Sequence, residues 1–236
     1  MSLGTTLLLL ALAVPLILLI RRDYHAFLGL GPGGTPSTFP GYLKVSYLRL
    51  SALRNPLIPP PLTPTTHPAL PYLHSLPPRT GPRPIVAGIA PQRQLTQTSP
   101  PDLIDALHLR VRNIAVAHPK HLSIGVSCIA KHGLALNVSS PKPLNPTCGP
   151  IGEVCHLHAS DGSMHLTLHP SDAALVIARG WAERHPLGEG GLFGERYVPR
   201  SFLMVYAPRD EEECEMVVEV VRAGMYWVGG LDFRGE

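Results

Sequence analysis

The chain has 236 residues, of which 44% are hydrophobic and only 16% charged, with a formal net charge of +3. That is enough apolar material for one sizeable core, which excludes a disordered protein, and no Lys/Arg-rich run supports nucleic-acid binding. The 4 cysteines form no CxxC pair, which disfavours a thiolate zinc site, and their scatter predicts reduced, mostly buried thiols rather than a disulfide scaffold.

Residues 3–20, LGTTLLLLALAVPLILLI, carry no charge and end at Arg21-Arg22-Asp23. A run of this length spans a hydrocarbon core of ~30 Å as one helix, and Pro15 is tolerated there. No basic residue precedes the run and no small-residue cleavage site follows it, so an uncleaved anchor is favoured over a signal peptide. The two arginines after the helix place the body in the cytosol by the positive-inside rule, on an intracellular membrane, with the endoplasmic reticulum as the expected one. Asn137-Val138-Ser139 is a glycosylation sequon that stays unmodified in that orientation.

Residues 1–22 are thus the anchor. Residues 23–100 form a proline-rich, irregular arm, because proline removes donors and fixes φ. Within it GYLKVSYLRL is apolar enough to be ordered, and the arm is expected to wrap on the body with a mobile tip near residues 59–66. Residues 101–236 form the regular body. Leu103, Leu107, Val111, Ile114 and Ala115 recur at helical spacing and Pro119 closes that helix. LSIGVSCIA and LALNV read as strands joined at Lys131-His132-Gly133. A histidine-rich hairpin follows, then a short helix capped by Ser171 or Asp172 and closed by Gly180. Next come a glycine-rich loop, the strand SFLMVYAP, and a last helix that Asp210 and Glu213 begin. The order predicts an α+β fold with helices packed on a mainly antiparallel sheet.

The hairpin, EVCHLHASDGSMHLTLH over residues 153–169, holds four of the 12 histidines. Strand side chains alternate between faces. Cys155, Leu157, Met164, Leu166 and Leu168 share the apolar face, and His156, His158, His165 and His169 the other. Alternation sends Glu153 to the apolar side. A four-residue loop pairs His156 with His165, whereas a two-residue turn pairs His158 with His165. Three uses fit the histidine face: a solvated surface, a zinc or iron site, or proton transfer by an imidazole near its ordinary pKa of ~6.5.

Several stretches together resemble the fungal luciferase family. They are RRDYHAFLGLGP directly after the helix, FPGYLKV, Arg83-Pro84, QRQLTQ, HLH, HLTL, GWAERHPL and YAPRDEEE, in that order along nearly the whole chain. The resemblance implies a small membrane-anchored oxidoreductase that oxidises an enolic styryl-pyrone, 3-hydroxyhispidin, with molecular oxygen. A peroxidic adduct loses carbon dioxide and leaves an excited product that emits light. It implies no flavin, nucleotide or metal, with zinc or iron as the minority alternative, and leaves a non-luminous ligand-binding relative as another outcome. On chemical grounds His156, His158 and His165 are candidates for the base. Arg184, His185 and Arg209 are candidates for binding a developing oxyanion, and Trp181 and Tyr206 for stacking on a flat substrate. Trp181 can equally be a core anchor, and Arg209 can serve to order the last helix.

Overall fold

The computed structural model describes residues 2–64, 66–191 and 193–234. Helix α1 (Leu3–Gly29) contains the uncharged run and is long and apolar enough to cross a membrane. It continues past Ile20 as one helix, so its last turns belong to the body: Phe27 is buried against Tyr42. Helix α2 (Phe39–Leu48) follows, started by the Thr38 hydroxyl, which accepts from the Gly41 amide. Order was expected for GYLKVSYLRL, but not its helical form. The helix forms because Gly41, Tyr42, Val45 and Leu48 share a stripe that has something to bury against.

Strands β1 (Val86–Gly88) and β2 (Gln92–Gln94) make a small hairpin inside the arm. Helix α3 (Pro101–Ala117) then leads into the main sheet of β3 (Leu122–Val126), β4 (Leu134–Val138), β5 (Gly152–Leu157) and β6 (Met164–Thr167). Helix α4 (Pro170–Ala178), β7 (Ala182–Arg184), β8 (Phe202–Val205) and helix α5 (Glu211–Gly229) complete the chain. The six strands lie in the order β3-β4-β5-β6-β8-β7, every neighbouring pair antiparallel. The α+β class read from the sequence therefore holds; β7 was not foreseen, being three residues long with only one ladder.

One sheet face packs on α3 and α5. Leu107 and Val111 from α3, Val217 and Val221 from α5, and Leu136, Cys155, Leu166 and Val205 from the sheet form that core. Asp210 caps α5 by accepting from the Glu213 amide, and Gly230 ends it with a left-handed φ of 69°. Of the acidic first turn, Glu213 is not solvated as its neighbours are: it is buried and pairs with Arg79 and Arg209.

The arm covers the opposite face. Its second cluster joins Phe27, Tyr42, Val45, Leu48 and Ile89 to Leu187, Val198 and Phe202 of the body. Polar clamps fix its path. The Asp172 carboxylate accepts from the Tyr72 and Leu73 amides, at 2.9 Å each. Arg83 donates to the Ala182 and Ile177 carbonyls, and Gln94 accepts from the Ala207 amide. Asp172 is thereby spent on the arm; the α4 cap is His169, whose Nδ1 accepts from the Ser171 amide.

Two of the four cysteines depart from the expectation of reduced thiols. Cys128 and Cys148 form a disulfide between the β3–β4 and β4–β5 connections, 20 residues apart. Spacing alone could not show this, because the loops meet only after β4 pairs with both neighbours. Cys155 and Cys214 are free and buried, as expected.

Candidate functional site

The hairpin between β5 and β6 decides the register question. His156 faces His165, Cys155 faces Leu166 and Leu157 faces Met164, so the loop is the four-residue one. Gly162 turns it with φ 81°, and the Asp161 carboxylate accepts from the Ser163 amide. The five predicted apolar residues lie in the core, and His156, His158 and His165 point the other way, toward the arm. His169 parts from them: it lies beyond the strand and packs its ring against Trp227.

Glu153 is where simple alternation fails. Leu136 faces Cys155 while Asn137 faces Glu153, so Val154 is an extra residue in β5. The bulge sends both Val154 and Cys155 into the core and returns Glu153 to the histidine face. There one carboxylate oxygen accepts from His156 Nδ1–H at 2.6 Å and from the Ser127 hydroxyl at 3.0 Å. The other accepts from the Cys128 amide at 2.6 Å, within the loop that the disulfide ties.

The three histidines are each at most 5% exposed and form one cluster. His156 Nε2 lies 3.2 Å from His165 Nδ1, and the His158 and His165 ring centres are 4.7 Å apart. Each ring is also held from outside. His165 Nε2 meets the Gln92 amide oxygen at 2.9 Å, and His158 Nδ1 meets the Ser163 hydroxyl at 2.9 Å. Gln92 in turn donates to Glu183, which also accepts from the Tyr206 hydroxyl. Phe202 stacks on His165, ring centres 5.1 Å apart.

This cluster lines a cavity of about 150 Å³ whose apolar wall is Leu48, Ile89, Leu187, Val198 and Phe202. His185 lines it too, but both its nitrogens are used by backbone: Nε2 donates to the Ile89 carbonyl and Nδ1 accepts from the Leu187 amide. Burial pushes His185 down to about 4. Burial first, and then repulsion from neighbouring imidazoles, hold His158 and His165 well below the ordinary histidine value. The expectation of imidazoles titrating near neutrality thus does not hold for these two, and they are uncharged at neutral pH.

The other proposed binding residues do not line this cavity. Trp181 is a core anchor whose indole donates to the Pro77 carbonyl. Arg184 is wholly buried and ties the glycine-rich loop shut, donating to Glu189 and to the Arg200 carbonyl. Arg209 holds Glu213 and Thr80 at the start of α5. Tyr206 touches the site only through Glu183 and Gln92. Arg184 and Arg209 were expected to hold a developing oxyanion, whereas the cavity wall holds a different arginine.

That residue is Arg93, next to Gln92 on β2. It is buried in the cavity wall and donates to the Gln92 and Pro32 carbonyls. Its Nε–H has no partner, and it has no salt bridge among the described residues. The only hint in the sequence was QRQLTQ, a polar run inside a proline-rich arm.

Comparison with known proteins adds a third line. The family model described as "Luciferase domain" matches residues 152–224, which hold the whole hairpin, β8 and most of α5. The chain is 32% identical over 224 residues to a protein named "Luciferase" from Armillaria mellea, covering 87% of this chain and 80% of the relative. It is 31% identical over 234 residues to a "Luciferase" from Neonothopanus nambi, covering 91% and 82%. No solved structure matches.

Proposed function

The chain belongs to the fungal luciferase family, and from that premise we propose that it is an oxygen-dependent oxidoreductase acting on a flat enolic pyrone of the 3-hydroxyhispidin type. The observation that carries this reading is the buried three-histidine face, closed over by the apolar wall and by Arg93. Among these buried side chains an enolic hydroxyl gives up its proton to His156, whose imidazolium the Glu153 carboxylate stabilises, and the charge left on oxygen is held by the Arg93 guanidinium. The electron-rich enolate then reacts with molecular oxygen. The peroxidic adduct expels the lactone carboxyl as carbon dioxide while both atoms of the molecular oxygen stay in the caffeoyl-pyruvate product, and the enolate itself supplies the electrons, so no flavin or nucleotide is needed to balance the step. Light accompanies turnover when the product forms excited. Helix α1 anchors the enzyme to a membrane, where an apolar polyketide-like substrate concentrates.

The test is to add 3-hydroxyhispidin to membranes carrying the chain and to record light and oxygen uptake together. Uptake with carbon dioxide release is the expected result, with or without light. Arg93→Gln should lower kcat/KM by about 100-fold, as loss of one oxyanion donor does. Tight binding of the pyrone without any uptake would turn the reading into that of a non-catalytic ligand-binding relative.

A further inference from the structure

The hydrogen bonds around the three histidines fix where their protons are, and the result is a site short of a cation. The Glu153 carboxylate, held by the Ser127 hydroxyl and the Cys128 amide, accepts from His156 Nδ1–H, so Nε2 of a neutral His156 is a bare lone pair. The Ser163 hydroxyl spends its proton on Asp161 and accepts from His158 Nδ1–H, so His158 Nε2 is bare as well. Gln92 turns its NH2 to Glu183 and its oxygen to His165 Nε2–H, which leaves His165 Nδ1 bare. The outer nitrogen of every ring is a donor to an oxygen, and the inner three converge.

One ring nitrogen from each histidine lies within 4.8 Å of the others. His156 Nε2 and His165 Nδ1 are 3.2 Å apart. Two nitrogens on a tetrahedral zinc at 2.0–2.1 Å stand about 3.3 Å apart, so this pair is already at ligand spacing. Among the described residues His158 Nε2 is buried without a hydrogen-bond partner, which is costly for a ring nitrogen unless something occupies the space before it. A single extra proton between His156 and His165 would satisfy that pair and still leave His158 orphaned. A divalent ion satisfies all three.

We propose that His156, His158 and His165 bind one divalent transition ion, zinc or ferrous iron, through Nε2, Nε2 and Nδ1 respectively, with its open position toward the cavity. The outer partners Glu153, Ser163–Asp161 and Gln92 are what such ligands require, since each fixes a tautomer and a ring direction. Imidazole suits both metals, and three neutral ligands leave the ion its full charge to hold a substrate oxygen. The sequence favoured a metal-free site; the arrangement of protons favours the alternative. With the ion bound the three imidazoles are ligands rather than bases, and the enolic oxygen would lose its proton to solvent on meeting the ion; that role rests on the reaction proposed for this cavity, but the binding does not.

The experiment uses the full chain purified in detergent without chelator. Metal content is measured first, and the ion is then stripped and replaced by titrating Co(II) or Zn(II), with the visible Co(II) bands and the rise in Tm as readouts. About one ion per chain is expected, with tight rebinding. His158→Ala and His165→Gln should each weaken Co(II) binding by at least ~100-fold, and Glu153→Gln by ~10–100-fold. His169→Asn, which keeps a helix cap away from the cavity, should bind as the parent does. Failure of the parent to bind either ion, or equal binding by the His158 and His165 variants, overturns the proposal. Full oxygen uptake by ion-free protein overturns the ion's part in the reaction while leaving the oxidoreductase reading intact. Tight ion binding with no turnover of any enolic pyrone does the reverse.

Discussion

At the scale of single residues, Glu153 matters as much as any histidine. Its two oxygens accept three hydrogen bonds, from Ser127, Cys128 and His156, and only the last faces the cluster. An amide at this position has one acceptor oxygen, so it must turn its NH2 toward at least one of three donors. Glu153→Gln should therefore lower kcat by about 10–100-fold with little change in KM, because it misorients a ring and touches no substrate. The contrasting substitution, Tyr206→Phe, should act weakly: Tyr206 reaches His165 through two intervening side chains and lies outside the cavity. Steady-state kinetics on the two variants separates these effects.

At the scale of elements, the clamp between the arm and α4 reports on folding. Burial raises the Asp172 carboxyl to about 6 from an ordinary 3.8, against the pull of the Tyr72 and Leu73 amides. A group whose folded pKa lies above its unfolded one binds its proton more tightly when folded. Its contribution to stability is thus largest below pH ~4 and falls as pH rises toward 6, then stays constant. Asp172→Asn cannot titrate. The difference in Tm between parent and variant should shrink or reverse between pH 4 and 6.5 and be flat above, as thermal unfolding across that range will read. A difference independent of pH would show that the carboxyl is charged throughout. The hairpin lies at the same scale: its faces were legible by alternation, but the bulge at Val154 was not, since a bulge depends on how β4 and β5 pair rather than on either strand alone.

For the whole molecule, the disulfide and the anchor make opposite statements. The positive-inside rule reads Arg21 and Arg22 after the apolar run as an expectation of a cytosolic body, whereas a Cys128–Cys148 bond is expected to persist in an oxidising compartment. Thiol counting decides it. Burial, with the charge of Glu153 adding to it, pushes Cys155 up to about 12, and burial raises Cys214 as well, so neither should react in the folded protein. Maleimide should label no cysteine in the native chain, two after unfolding without reductant, and four after reduction. Four labels without reductant would mean that the pair is reduced in the cell and would agree with the cytosolic expectation.

Local pattern determined much of this protein. The length of the uncharged run, the proline that stops α3, the caps of α5, and the split of the hairpin into apolar and histidine faces all depend on residues close together in the chain. The ordered motifs carried the family resemblance in the same way. Only the tertiary structure decided what stands over the histidines. Gln92 and Arg93 come from an arm that precedes His165 by some seventy residues, and Glu153 reaches the face by a slip in strand register. Arg184 and Arg209, the arginines expected to bind, hold a loop and a helix start instead. Periodicity records which way a side chain points. It carries no record of which distant segment folds back to meet it, because that choice is made by burial summed over the whole chain.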